Sequence, residues 1–294
     1  MSATAGTGPR SLPTAAQSER RQRIARTLTY SFLIAVAIVY IFPFVIAIVT
    51  AFKTEPNATA DPLSLIPSPA TTDAFHQLYK DQDFLLWIKN SMIVTLSVTF
   101  LRVFLDSLAG YALARLHFRG RGLVFAGIVA VMAVPGVVLL IPKFLMIRQL
   151  GMYDHYSGMI IPLLVDAAGV FIMKNFFESI PTSVEESARI DGAGIFRIYW
   201  SIVLPMARPA LITIFILAFQ GSWNELAHFI ISAQSTSLNT LTKGVAQLAS
   251  GQLGSGNRYP LKLAASTLMT IPVAVLFFVF QRRIMNVASG AVKE

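Results

Sequence analysis

Six apolar runs of about twenty residues or more divide this 294-residue chain. They fall at about 28–52, 90–114, 123–147, 157–177, 208–232 and 261–281. At ~1.5 Å of rise per residue, each is long enough to cross roughly 30 Å of hydrocarbon as a helix. Hydrocarbon offers no water to backbone N–H and C=O groups, so a helix, which satisfies them internally, is the expected form. Composition agrees: 54% of residues are hydrophobic and 13% charged, where soluble domains carry about a quarter charged. Mean hydropathy is +0.62. The sequence predicts an all-α polytopic membrane protein with six transmembrane helices over residues 28–294. A leader, residues 1–27, precedes them. Its first twenty residues are rich in Ser, Thr, Ala, Gly and Pro and are expected to be disordered.

Lys and Arg set the orientation. The chain carries 24 of them against 15 acids, a net charge of +9. Alternating the sides of the segments between runs gathers 15 of the 24 on the side of the N-terminus. The bias of cationic residues toward the cytoplasm then places both termini inside. It also accounts for the basic balance without nucleic acid. The first run is too long for the apolar region of a signal peptide, and no small-residue cleavage site closes it, so it reads as an uncleaved span.

Several chemistries are excluded. The chain has no cysteine, and its four histidines, at 76, 117, 155 and 228, lack ligand spacing, so a metal centre is not expected. No G-x-x-x-x-G-K-[ST] phosphate loop occurs, so the chain is not expected to hydrolyse ATP or to bind a cofactor itself.

The main polar interruption is Ser183 to Pro209, SVEESARIDGAGIFRIYWSIVLPMARP. Ser183 and Glu186 have capping-box spacing, which predicts a helix from Val184. Asp191-Gly192 is a breaker pair, and Gly supplies angles that a Cβ disfavours. Phe196, Tyr199, Trp200 and Val203 then fall at i, i+3, i+4 and i+7, predicting a second helix with one apolar face. Glu185 and Glu186 beside Arg189 read as a solvated or docking face rather than a catalytic pair.

This segment resembles the EAA loop of ABC-importer permeases of the carbohydrate-uptake type. The matching residues are Glu186-Ser187-Ala188, Asp191-Gly192-Ala193 and Ile202-Val203-Leu204-Pro205, with Ser187 in place of the commoner Ala. Asn90-Ser91, Ala109 to Arg115 and Phe118 to Arg121 resemble the family's second span and first cytoplasmic turn, and Val134-Pro135 with Leu140-Ile141-Pro142 resembles its third span. Gln281-Arg282 and Gly290 to Lys293 resemble the tail of the second permease subunit, in the maltose/glycerol-3-phosphate-like group. The resemblance implies a bacterial plasma-membrane subunit that works with a homologous permease, two ATPase subunits and an extracytoplasmic solute-binding protein. ATP and Mg would be bound by the ATPases alone. It implies that residues 178–207 form a coupling loop, with Glu185, Glu186, Ala188, Arg189, Asp191, Gly192, Ala193, Phe196, Leu204 and Pro205 as its ATPase-coupling residues.

Inside the spans, Gln220, Trp223, Asn224 and Glu225 are the candidates for a solute path. Gln220 and Asn224 share a helix face, and the family carries a similar Trp-Asn-Glu motif along its path. The plainer reading is interhelical hydrogen bonding. Arg102 and Asp106 are spaced to pair on one helix. Asp166 stands alone in the fourth span as a cavity residue or a cap. An ion-coupled secondary transporter using Asp166 and Asp106 is the alternative, although it leaves the polar loop unexplained. Pro43, Pro135, Pro142, Pro162 and Pro272 are expected kinks or hinges. The segments 53–89 and 232–260 read as long extracytoplasmic loops.

Overall fold

The computed structural model describes residues 15–252 and 258–290, and all regular structure among them is helical. Residues 1–14, Gly254 and Gly256 of the second long loop, and the Ala291 to Lys293 part of the tail match lie outside the described residues. Helix α1 (Ala15–Ala51) takes the basic cluster of the leader into its first turns, so the helix begins well before 28. Both expected loops hold helices. Segment 53–89 contains α2 (Glu55–Ala60) and α3 (Asp73–Asp81), and α4 (Phe84–Arg115) starts at Phe84 rather than at 90. α3 carries Leu78 and Ala74 on a buried face, so it is an amphipathic helix that the Pro-rich segment before it concealed.

Two of the expected spans are bent pairs of helices, and a third bend joins the fifth to the helical segment before it. α5 (Arg121–Met132) ends before Pro135, and a 3₁₀ turn leads into α6 (Leu140–Gln149), at 101° to α5. Proline lacks the N–H and pushes its predecessor out of the helical region. α7 (Tyr156–Ile160) passes into a 3₁₀ turn at Pro162, and the chain restarts, 40° away, as α8 (Ala167–Ser179). After α9 (Thr182–Ile190), α10 (Ile195–Ile198) and α11 (Leu204–Met206) comes α12 (Arg208–Trp223), 79° from the helical segment before it. The chain breaks again at Asn224, so the single helix expected over 208–232 is α12 plus a separate α13 (Ala227–Ser232). α14 (Leu241–Ala249) lies in the second expected loop, and α15 (Tyr259–Gly290) contains Pro272 without a break. Among the described residues three helices are long and apolar enough to cross a membrane, and up to six crossings result if each bent pair counts as one.

α4 is the central post. It packs chiefly on α8 and α12, while α1 packs on α15. Gly110 of α4 sits against α8 so closely that an added Cβ would lie 2.6 Å from Met173 Cβ. Gly244 of α14 admits the Trp87 ring of α4, 2.3 Å from where a Cβ would stand. One apolar cluster surrounds the Arg115 end of α4, with Tyr111, Met173, Phe177, Ile198 and Tyr199. Another surrounds its Phe84 end, with Trp87, Phe219, Trp223 and Leu261.

The α6–α7 turn and the segment after α13 are clasped together. Asp154, at φ 59°, accepts bonds from the Gln234 and Ser235 amides, each at 2.8 Å, and from the Ser235 hydroxyl. Tyr153 donates to Gln234 at 3.0 Å. Asn90 of α4 donates to the carbonyls of Ser237 and Asn239, and Ser91 accepts from the Leu241 amide. The Ser235 hydroxyl and the two amides hold the Asp154 carboxyl below its ordinary range. A lowered carboxyl stabilises the fold above the unfolded pKa of about 3.9 and loses that contribution as pH falls through the folded value. Hydrogen exchange at the Gln234 and Ser235 amides, corrected for intrinsic rates, should therefore stay protected at neutral pH and open only under acid below the usual carboxylate range. Asp154→Asn should open them at neutral pH.

Candidate functional site

The segment after α8 folds back on the Arg115 end of α4, and its first helix closes by a Schellman motif. The Ala193 amide donates to the Ala188 carbonyl at 2.9 Å and the Gly192 amide to the Arg189 carbonyl at 3.0 Å. The turn residue must be left-handed, and Gly192 stands at φ 79°. Ala188 and Ala193, at the two ends of the longer bond, both enter the apolar cluster, the hydrophobic contact that accompanies this cap. The Ala188 and Asp-Gly-Ala residues of the motif are thus a helix-stop device. The expected start differs. α9 begins at Thr182 with Pro181 before it, and Ser183 lies inside the helix without capping it. Proline's fixed φ, close to the helical value, sets the entry instead.

The second arm also departs from expectation. Tyr199–Val203 is a π-helical turn between α10 and α11. Its wider winding breaks the 3.6-residue period, so the expected single apolar face divides. Ile198, Tyr199 and Val203 are buried, whereas Phe196 and Trp200 face outward. Leu204 packs partly into the cluster and Pro205 opens α11.

The two adjacent glutamates part ways. Glu186 is exposed, as are Arg189 and Asp191. Glu185 is buried against Arg115, with Oε1 3.1 Å from Nε and side-chain exposures of 5% and 7%. The pair is held by charge rather than by an aligned hydrogen bond. Arg189 approaches the other carboxylate oxygen at 3.7 Å, and the Tyr111 hydroxyl donates to it at 3.4 Å. Arg115 also donates through Nη2 to the carbonyls of Phe177 and Ile180 at the end of α8. Tyr199 and Ser107 hydroxyls meet at 2.7 Å. These anchors were missed in the sequence. The available signal was Ser107, Tyr111 and Arg115 recurring every four residues at the end of one apolar run. What remains on the free side is a ridge of Glu186, Ile190, Gly192 and Phe196. Ile190 is 86% and Phe196 79% exposed.

The four path candidates separate. Trp223 is 1% exposed, stacked on Phe219 at 5.7 Å, and donates from its indole N–H to the Met269 carbonyl at 3.1 Å. Its ring belongs to the core and presents no face to a solute in this conformation. Glu225 accepts from the His228 amide at 2.9 Å and so caps α13. Gln220 and Asn224 are both exposed where α12 ends, with Asn224 donating to the Gln220 carbonyl at 3.0 Å.

The expected Arg102–Asp106 pair does not form among the described residues. Arg102 donates instead to the Leu163 carbonyl at 2.7 Å. Asp106 accepts from the Asp166 amide at 3.1 Å, and Asp166 caps α8 by accepting from the Gly169 amide at 3.0 Å. Both carboxylates serve the break between α7 and α8, and the ion-coupled alternative finds no support in this geometry. No group of His, Cys, Asp or Glu among the described residues could hold a metal ion.

Comparison with known proteins accounts for this architecture. Residues 106–286 match the family described as "binding-protein-dependent transport system inner membrane component". The sulfoquinovosyl glycerol transport system permease protein SmoH of Agrobacterium fabrum is 33% identical over 256 residues, covering 86% of this chain and 89% of that protein. The polygalacturonan/rhamnogalacturonan transport system permease protein YtcP of Bacillus subtilis is 31% identical over 283 residues, covering 92% and 97%. The crystal structure of a bacterial ABC transporter involved in import of the acidic polysaccharide alginate contains a chain that superposes with TM-score 0.78 at 26% identity, covering 90% of this chain and 97% of that one. The chain belongs to the binding-protein-dependent inner-membrane transport family, as a permease subunit of an ABC importer, a component with no ATPase site of its own.

Proposed function

We propose that this chain is one of two related permeases that form the membrane path for a sugar or similar polar solute, driven by two ATPase subunits, one of which docks at the loop 178–207. The six spans are then α1, α4, the α5–α6 pair, the α7–α8 pair, α12 without the arm before it, and α15, with both termini and the loop in the cytoplasm. The observation that carries the reading is the loop itself. One side is pinned by a buried ion pair, and the other presents Ile190 and Phe196 to solvent. Apolar side chains held outward on a rigid turn are the form of a docking surface. The Lys and Arg distribution puts that surface on the side where ATP is available. A carbohydrate-class solute is supported by the relatives, which are permeases of transport systems for sulfoquinovosyl glycerol, polygalacturonan/rhamnogalacturonan and arabinooligosaccharides.

Gln220 and Asn224 are the path residues this reading retains, since both are exposed at the end of α12. The path then lies between that face and the second permease. Trp223 acts from behind, fixing the angle of α12 on α15. Gln220→Ala and Asn224→Ala should lower uptake while leaving the assembled complex intact, because an interhelical hydrogen bond in a membrane is worth only ~0.6–2 kcal/mol. Loss of the complex without a change in uptake per complex would assign them to packing.

The coupling role is tested at Gly192 and Phe196. A Cβ at 192 meets no described atom within 4 Å, so Gly192→Val costs the chain alone only the left-handed backbone strain, ~1–2 kcal/mol. In the assembled importer the same side chain enters the docking ridge. Gly192→Val and Phe196→Ala should leave membrane insertion normal, weaken retention of the ATPase subunits, and lower uptake per ATP hydrolysed in reconstituted vesicles. Uptake and hydrolysis at the unmodified ratio would contradict the assignment of the loop.

A further inference from the structure

Ser107, Tyr111 and Arg115 recur every four residues along α4, and each grips a different part of the loop. Arg115 holds the carboxylate of Glu185 on α9 and the carbonyls of Phe177 and Ile180 where α8 ends. The Tyr111 ring lies between the second arm and α8, 5.1 Å from Tyr199 and 5.7 Å from Phe177, with its hydroxyl directed at Glu185 on the first arm. Ser107 bonds the Tyr199 hydroxyl on the second arm at 2.7 Å. Both arms and the end of α8 therefore converge on one face of one helix. All three gripping side chains are buried or nearly so.

We propose that this face of α4 is the transmission of the importer: Ser107, Tyr111 and Arg115 are positioning residues that make α4, the end of α8 and the coupling loop move as one rigid block. The inference rests on the loop being the ATPase contact and adds where its motion goes. A buried charge pair resists separation, because parting it leaves two charges uncompensated in an apolar cluster. The compliant points lie elsewhere, at the bend between α11 and α12 and at the breaks around Pro135 and Pro162. A push on α9 would thus tilt α4 along its length rather than bend the loop.

The chain has no cysteine, so paired spin labels can be placed on it without background from its own residues, in an importer whose other subunits carry no reactive cysteine. Thr182→Cys on α9, away from the Ile190 ridge, is paired with Leu101→Cys on the exposed face of α4 or with Tyr259→Cys at the start of α15. Distances are measured in the complete importer, nucleotide-free and with ATP, Mg²⁺ and vanadate. The 182–259 distance should change on nucleotide trapping while the 182–101 distance stays constant. Arg115→Gln or Glu185→Gln should let the 182–101 distance shift by about 2 Å or more, the scale of helix displacements at interfaces. The exchange Arg115→Glu with Glu185→Arg should restore constancy, which loss of general stability would not. Tyr199→Phe, which removes only the Ser107 bond, should broaden the same distance if the charge variants do not assemble. A 182–101 distance that moves in the unmodified complex, or is constant in every assembled variant, overturns the inference while leaving the importer reading in place. Nucleotide that moves neither distance overturns both.

Discussion

The buried ion pair between Arg115 and Glu185 fixes where the loop can sit, and the rest of the arrangement follows from it. Neither charge is tolerable alone in a cluster of Phe177, Ile198, Tyr199 and Val203. Removing one partner of such a pair typically costs about 3–5 kcal/mol, mostly because the other stays buried. The pair therefore holds α9 in one register against α4. With Glu185 turned inward, helical geometry turns Glu186 and Ile190 outward. Beyond the Schellman turn at Gly192, Phe196 is exposed as well. A hydrophobic ridge on an otherwise polar segment is thus a consequence of where one carboxylate is buried.

The same logic organises the opposite end of the molecule through side-chain hydrogen bonds to backbone. Asn90, Ser91 and Asp154 spend their hydrogen bonds on backbone amides and carbonyls of segment 234–241. That segment is polar in sequence and read as part of a long extracytoplasmic loop. It is instead stitched to α4 and to the α6–α7 turn, leading into a helix whose Gly244 seats Trp87. By contrast α1, apolar throughout its span, has its 18-residue apolar window unburied by the rest of the chain and packs mainly on α15. Such a surface suits lipid or a second subunit, in keeping with a permease that works as part of an assembly.

The sequence made the class, the apolar runs and the loop legible because each depends on local chemistry. Asp191-Gly192 demanded a turn whatever surrounded it, and the helix-stop geometry of Ala188, Gly192 and Ala193 is written in residues five apart. The failures share a cause: they depend on partners distant in the chain. Nothing local distinguishes Glu185 from Glu186 until Arg115 arrives from α4. The period over 196–203 looked like one helical face, but Tyr199 is drawn inward to Ser107 and a π turn absorbs the difference. The Arg102–Asp106 spacing was right for a pair, yet the break at 164–166 offered each side chain a backbone partner that needed it more. Pro135 was legible as a kink, whereas the 101° bend was not, since its size is set by what α5 and α6 pack against. Trp223 carried the composition of a sugar platform and is a core residue because Met269 supplies its hydrogen-bond acceptor.

On the proposed function, the outward ridge of the loop is where an ATPase subunit binds. Amide hydrogen exchange across 182–206, in the permease pair with and without its ATPase subunits, tests it most directly. Strong protection should appear on adding the ATPases, concentrated between Glu186 and Phe196, while the already buried α4 face changes little. Unchanged exchange across 186–196 in a complex that retains both ATPase subunits would contradict the account.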